Sequence, residues 1–307
     1  MNEPNRRQFV QSGFMALLVA AEKAPMKIID THQHLWDLDK FRLPWIAKGS
    51  FLDRNFLVSD YQEAVRGLGV TQSVYLEVDV AANQQQEEAD YVAELCQKKK
   101  SPTRAAVISG RPESDGFAAY IRPFKDHPSI RGLRRVLHSE QTPQGHCLKK
   151  EFVRGIQLMG ELNLHFEICP RSGELPDAIK LVDACPSTRF VLDHCGNPDL
   201  VKHEQWKKDI AELAKRKNVV GKVSGIVFQA TPGKWSADDL APVVKHTLGV
   251  FGPNRVMFGS DWPVCLKAAT ISQWVKALQA IVANRPAQEQ RKLFHDNAMA
   301  FYRLKEE

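Results

Sequence analysis

From residue 26 onward the chain alternates between two kinds of hydrophobic pattern. Short runs rich in β-branched, aromatic and other apolar residues occur at 27–31, 72–78, 105–109, 130–137, 164–169, 190–194, 219–224 and 256–260. Between them lie longer segments whose apolar residues recur at helical spacing, at 59–68, 87–98, 152–162, 174–185, 203–217, 237–251 and 271–284. A short apolar run bounded by turn signals predicts a strand, and recurrence every three to four residues predicts an amphipathic helix. Ser59 and Ser236 stand where helix N-caps are expected, and Cys195-Gly196-Asn197-Pro198 and Ala230-Thr231-Pro232-Gly233 punctuate two junctions. Strands alternating with helices, with no strand-only block, predict an α/β protein built as a single (β/α)8 barrel over residues 26–307. Residues 285–307 are expected to form a terminal helix closing one end. A doubly wound open sheet would carry a glycine-rich phosphate turn after its first strand, and Asp30-Thr31-His32-Gln33-His34 offers none.

Composition narrows the picture. The 307 residues are 43% hydrophobic and 25% charged, which excludes a disordered chain and a disulfide-dense miniprotein. Lysine and arginine outnumber aspartate and glutamate by 42 to 36, but the basic residues are dispersed (Lys98 to Lys100, Lys149-Lys150, Lys207-Lys208). A nucleic-acid binder would gather them into one stripe, so no nucleic-acid partner is expected. No stretch reaches the length of a membrane span. The six cysteines show no C-x-x-C pair and are expected to be small buried hydrophobes. Residues 1–25 read as an extension outside the fold. Arg6-Arg7 followed by the uncharged stretch 13–21 is similar to a twin-arginine export signal, with Glu22-Lys23 and the absence of a small-x-small cleavage site against it. A working signal would place the protein in the periplasm, and otherwise it is cytoplasmic. Self-association into a homo-oligomer is compatible with the sequence.

Candidate chemistry sits at the strand ends. In a β/α barrel the C-terminal ends of the strands face one mouth, where catalysis resides. That reading collects His32 and His34 after the first strand, Glu77 in the second, and Arg134 and His138 along the fourth. It adds His165 in the fifth, His194 ending the sixth, Lys222 and Ser224 in the seventh, and Asp261 ending the eighth. Residues two apart on an extended strand point the same way, so His32 and His34 can reach one ion. Asp193 is placed to orient its neighbours, and Asp261 can take a proton from water or ligate a cation. Trp36, Trp45, Trp262 and Phe228 are candidates for stacking on a ring, and Arg134 and Lys222 for holding a carboxylate or hydroxyl-rich ligand.

Four ordered segments now carry a resemblance. Residues 28–36 (Ile-Ile-Asp-Thr-His-Gln-His-Leu-Trp), Leu192-Asp193-His194-Cys195-Gly196, Lys222-Val223-Ser224-Gly225 and Gly259-Ser260-Asp261-Trp262-Pro263 together resemble the amidohydrolase superfamily. More narrowly, they resemble its branch of lactone hydrolases acting on sugar lactones and 2-pyrone-4,6-dicarboxylate. Position by position, the resemblance implies that His32, His34, His165, His194 and Asp261 are strand-end ligands or catalytic groups. Asp261, His165 and His194 would be the catalytic ones, and Arg134, Trp36, Lys222 and His138 would face the substrate.

The fourth strand, Ile130 to His138, lacks the lysine that bridges two metals in many members. The resemblance therefore implies no metal or one divalent ion, zinc first. With an ion, bound water becomes acidic and the lactone carbonyl is polarised. Without one, Asp261 activates water directly while Arg134 or protonated histidines hold the oxyanion. The expected partner is a small-molecule lactone. The alternatives are a zinc-dependent decarboxylase on the same scaffold and a catalytically silent barrel that only binds a ligand.

Overall fold

The computed structural model describes residues 26–306, so the twin-arginine-like segment lies outside the described residues. Eight parallel strands pair in chain order: β1 (Ile28–Gln33), β2 (Val70–Leu76), β3 (Thr103–Ser109), β4 (Ile130–Val136), β5 (His165–Cys169), β6 (Phe190–Leu192), β7 (Val219–Val223) and β8 (Val256–Phe258). The cylinder is completed beyond β8 by two backbone hydrogen bonds, Asp261 N–H to His32 O at 2.9 Å and His34 N–H to Trp262 O at 2.8 Å. This seam has a functional consequence, because it sets Asp261 beside both histidines of the first strand.

The helices follow the expected alternation: α1 (Val58–Ala64), α2 (Gln85–Gln97), α3 (Phe117–Ile121), α4 (Lys150–Glu161), α5 (Leu175–Ala184), α6 (Glu204–Leu213), α7 (Ala237–Phe251) and α8 (Ile271–Val282). The segment between β3 and β4 showed no helical periodicity, and α3 there is only five residues long. Ser236 caps α7 as expected, its N–H donating to the Asp239 carboxylate at 2.7 Å. Ser59 does not cap α1, which begins one residue earlier with Leu57 at the cap position. The terminal segment is two short helices, α9 (Ala287–Arg291) and α10 (Asn297–Tyr302), joined by a wider turn.

Both faces of the strands are covered, which is why they read as near-continuous apolar runs. Outward-facing side chains pack against the helices in the main core. A second, inner layer of Ile29, Val74, Val107, Val191 and Met257 fills the lower barrel, and Tyr302 of α10 seals it from below. All six cysteines are buried and unpaired. Most polar side chains of the interior lie in its upper half, with His165 at the lower end.

Candidate active site

Asp261 stands at the centre of the upper interior. Its Oδ1 lies 3.4 Å from His34 Nε2, 3.6 Å from His32 Nε2 and 4.0 Å from His194 Nε2. Three strands supply these groups. His32 and His34 project inward from the top of β1, His194 follows β6, and Asp261 follows β8. His194 and Asp261 both adopt left-handed backbone (φ 52° and 59°), a conformation non-glycine residues rarely take. Two glycines leave room for the imidazoles. A Cβ on Gly225 would lie 2.2 Å from His194 Nδ1, and one on Gly259 would lie 2.6 Å from His32 Cβ.

Hydrogen bonds fix the ring orientations. His34 Nδ1 sits 3.0 Å from the Leu76 carbonyl, which can only accept, so Nδ1 donates to it and Nε2 is the atom turned toward Asp261. His194 N–H donates to Ser224 Oγ at 3.3 Å, and the same hydroxyl is 2.9 Å from His194 Nδ1. With the hydroxyl proton given to Nδ1, His194 Nε2 carries its own proton toward the cavity. Burial lowers the pKa of His32 well below the ordinary imidazole value, over the opposing pull of Asp193. Burial lowers that of His194 too, against Asp261 and Asp193. His32 and His194 are therefore held neutral.

Beneath this ring lies a fully buried frame of charge. Lys222 Nζ contacts Glu167 at 2.5 Å and Asp193 at 3.1 Å, and Asp193 reaches His32 Nδ1 at 3.4 Å. Arg134 Nε donates to Glu77 at 2.6 Å, while Nη1 lies 3.4 Å from Asp193 and 3.2 Å from His32 Nε2. Burial alone would raise Asp193, but Lys222 and His32 outweigh it and hold the carboxyl well below its ordinary range. Burial pushes Glu167 up to about 7. His32, His34 and Asp261 offer three donor atoms within 4.8 Å of one another. Two imidazoles and a carboxylate, over a frame richer in carboxylates than in cations, suit one divalent ion.

The frame forms the floor of an open cavity of about 820 Å³ lined by His34, Arg134, His194 and Asp261, with Trp45, Asp79, His138, Arg171, Asn197 and Phe228 higher up. Of the residues singled out from the sequence, His32, His34, His194, Arg134 and Asp261 meet here, and His138 stands at the exposed rim. Three others lie elsewhere. His165 is the first residue of β5, so it points inward at the lower end, its ring 5.3 Å from Tyr302 and its Nε2 3.2 Å from Glu167. Strand membership alone did not say which end of the barrel it faced. Trp36 is fully buried, with its indole N–H donating to Arg54 O at 2.8 Å. Lys222 supports the floor without lining the cavity. Glu167 escaped sequence reasoning, although its period-two relation to Cys169 marks it as inward-facing. Tyr302 carried no such signal.

A model of the amidohydrolase family matches residues 29–304. The chain belongs to the amidohydrolase family. This amidohydrolase is 28% identical over 296 residues to an L-fucono-1,5-lactonase of Burkholderia multivorans, covering 91% of this chain and 96% of the relative. It is 22% identical to an L-rhamnono-gamma-lactonase of Scheffersomyces stipitis, covering 91% and 99%. Among solved structures, an amidohydrolase from Burkholderia multivorans with bound zinc superposes with a TM-score of 0.80 at 26% identity, covering 91% of this chain and all of that one. Among the described residues no helix is long and apolar enough to cross a membrane.

Proposed function

We propose that this amidohydrolase opens the ring of a sugar-acid lactone by adding water across its ester bond. The observation that carries the reading is Asp261, a carboxylate ringed by three imidazoles at the floor of an open cavity, in a chain whose relatives include an L-fucono-1,5-lactonase. Asp261 takes a proton from a water molecule, whose oxygen attacks the lactone carbonyl. His194, with Nε2–H directed at the cavity by Ser224, donates to the developing oxyanion, as does the Arg134 edge that lines the floor. Collapse breaks the ring C–O bond, and the proton held by Asp261 passes to the leaving alkoxide. The product is the open hydroxy acid.

The donor set of His32, His34 and Asp261 fits one divalent cation, and the similar Burkholderia multivorans structure contains bound zinc. When bound there, such an ion supplies Lewis acidity toward the carbonyl and acidifies water.

The lining supports a neutral lactone over a dicarboxylate. Each guanidinium at the cavity already has its charge matched by a carboxylate, Arg134 toward Glu77 at 2.6 Å and Arg171 toward Glu174 at 3.1 Å, which weakens its pull on an added acid group while leaving N–H donors for a neutral ligand. A panel of lactones followed by a pH indicator tests the reading, run on the purified chain, after chelation, and after zinc is restored. Hydrolysis of sugar-acid lactones that disappears in Asp261→Asn supports it. Release of CO2 from an aromatic acid instead would reassign the protein as a decarboxylase. Ligand binding with no turnover would make it a silent barrel.

A further inference from the structure

The lining of the cavity is not uniform around the barrel. Above the floor, one wall is mostly apolar: Trp45 and Leu52 come from the long β1–α1 loop, Val78 from the end of β2, and Val264 from the segment after β8, and the one carboxylate among them, Asp79, faces Arg111 and Arg135 at 3.5 Å. These three strands are neighbours, since the β8–β1 seam joins them. Ser139, Arg171, Ser172, Asn197 and Asp199 follow β4, β5 and β6 on the far side and, with Val136 and Pro170 between them, make that wall the more polar one.

Trp45 dominates the apolar wall, and its exposure is unusual for so large a side chain at 42%. The ring is nevertheless held in place. Its indole N–H donates to the Val78 carbonyl at 2.7 Å, and it stands edge-to-face on the buried Trp36 at 5.8 Å. Trp36 is backed in turn by Phe56 at 5.0 Å and Phe56 by Trp262 at 5.4 Å, so the aromatic support runs to the residue after Asp261. With its one polar atom committed, Trp45 offers a ligand only hydrocarbon surface and a π face.

We propose that Trp45 is a specificity-determining residue. It selects a lactone whose ring bears a deoxygenated, methyl-terminated substituent over the same lactone bearing a hydroxymethyl group. The inference rests on the lactonase reading above. A methyl group packs against the Trp45 ring, whereas a hydroxyl placed over that face loses water without gaining a partner from it. Ring hydroxyls face the polar wall opposite.

The test compares kcat/KM for L-fucono-1,5-lactone and L-galactono-1,5-lactone, which differ only by a hydroxyl on C6, in the wild-type protein, Trp45→Ala and Trp45→Phe. The wild type is expected to prefer the deoxy lactone on the order of tenfold, the scale of one buried unpaired hydroxyl. Trp45→Ala should bring the ratio to within about threefold of unity through a higher KM for the deoxy lactone, and Trp45→Phe should retain most of the preference. Unchanged thermal midpoints verify that both variants fold. A ratio near one or reversed in the wild type overturns the proposal, as does a preference that survives Trp45→Ala. If the wild type opens other lactones without this preference, the inference alone falls. If it opens no lactone, the lactonase reading falls and takes the inference with it.

Discussion

Buried histidines occupy both ends of one barrel, three at the upper end and one at the lower. At the upper end, His32, His34 and His194 surround Asp261 beneath an open cavity. At the lower end, His165 is packed between Glu167 and the rings of Phe301 and Tyr302, with no solvent exposure. The residue type and the inward orientation are common to both, and burial lowers the pKa of His165 as it does those of His32 and His194. Only the upper cluster meets residues that arrive after strand ends, where loops free the backbone to take left-handed turns and bring a carboxylate over the axis. A perturbed, buried histidine is therefore no sign of chemistry by itself. Access to a cavity separates the two.

That contrast can be broken in a graded series. Asp261→Asn removes the proton acceptor while keeping the shape, and kcat/KM for the best lactone should fall about a thousandfold or more with an unchanged thermal midpoint. Activity within tenfold of wild type would remove Asp261 from the proposed role. Lys222→Met leaves Glu167 and Asp193 buried beside each other without their shared cation. Urea unfolding should show a loss of roughly 3–5 kcal/mol, and a loss below about 1 kcal/mol would mean the frame does not depend on that pair.

His194→Asn is expected to lower kcat/KM about a hundredfold, whereas His165→Asn should leave it within about threefold and instead reduce stability by roughly 1–3 kcal/mol. Equal activity losses in the two variants would erase the distinction between the ends. The smallest effect is on pH dependence. Burial, reinforced by Arg189 and Lys222, lowers His165 well below its ordinary value of 6.5. Below pH 6.5 the unfolded chain takes up a proton that folded His165 refuses, so this group makes stability rise with pH up to about 6.5 and level off above. The gap in unfolding free energy between pH 7.5 and pH 5.5 should be smaller in His165→Asn than in wild type, and an equal gap would contradict a neutral, buried His165.

The strands were legible because each is buried on both faces and bounded by glycine, proline or polar residues. The β3–β4 connection was not, since the five-residue α3 is too short to show a period. His32, His34, His194 and Asp261 were readable as a group because each sits at or just beyond the C-terminal end of its strand. His165 was misplaced since its strand starts where it stands, and a pattern of period two marks the face of a strand but not its height in the barrel. Trp36 and Trp45 could not be ranked from the sequence. Nine residues apart in one irregular loop, they differ only in which one the other covers.

The order of apolar runs and helical segments determined a β/α fold whose strands are buried on both faces, and the absence of a glycine-rich turn after the first strand pointed to the closed barrel over a doubly wound sheet. Strand-end position likewise determined that imidazoles and a carboxylate share one mouth. Tertiary structure alone decided that Lys222 lies under the site, that His165 faces the sealed end, and that Trp45 is the tryptophan left open to a ligand. Those outcomes depend on depth along the barrel axis and on which side chain packs over which. Both are set by the stagger of strands and the path of loops, and neither leaves a periodic trace in the chain.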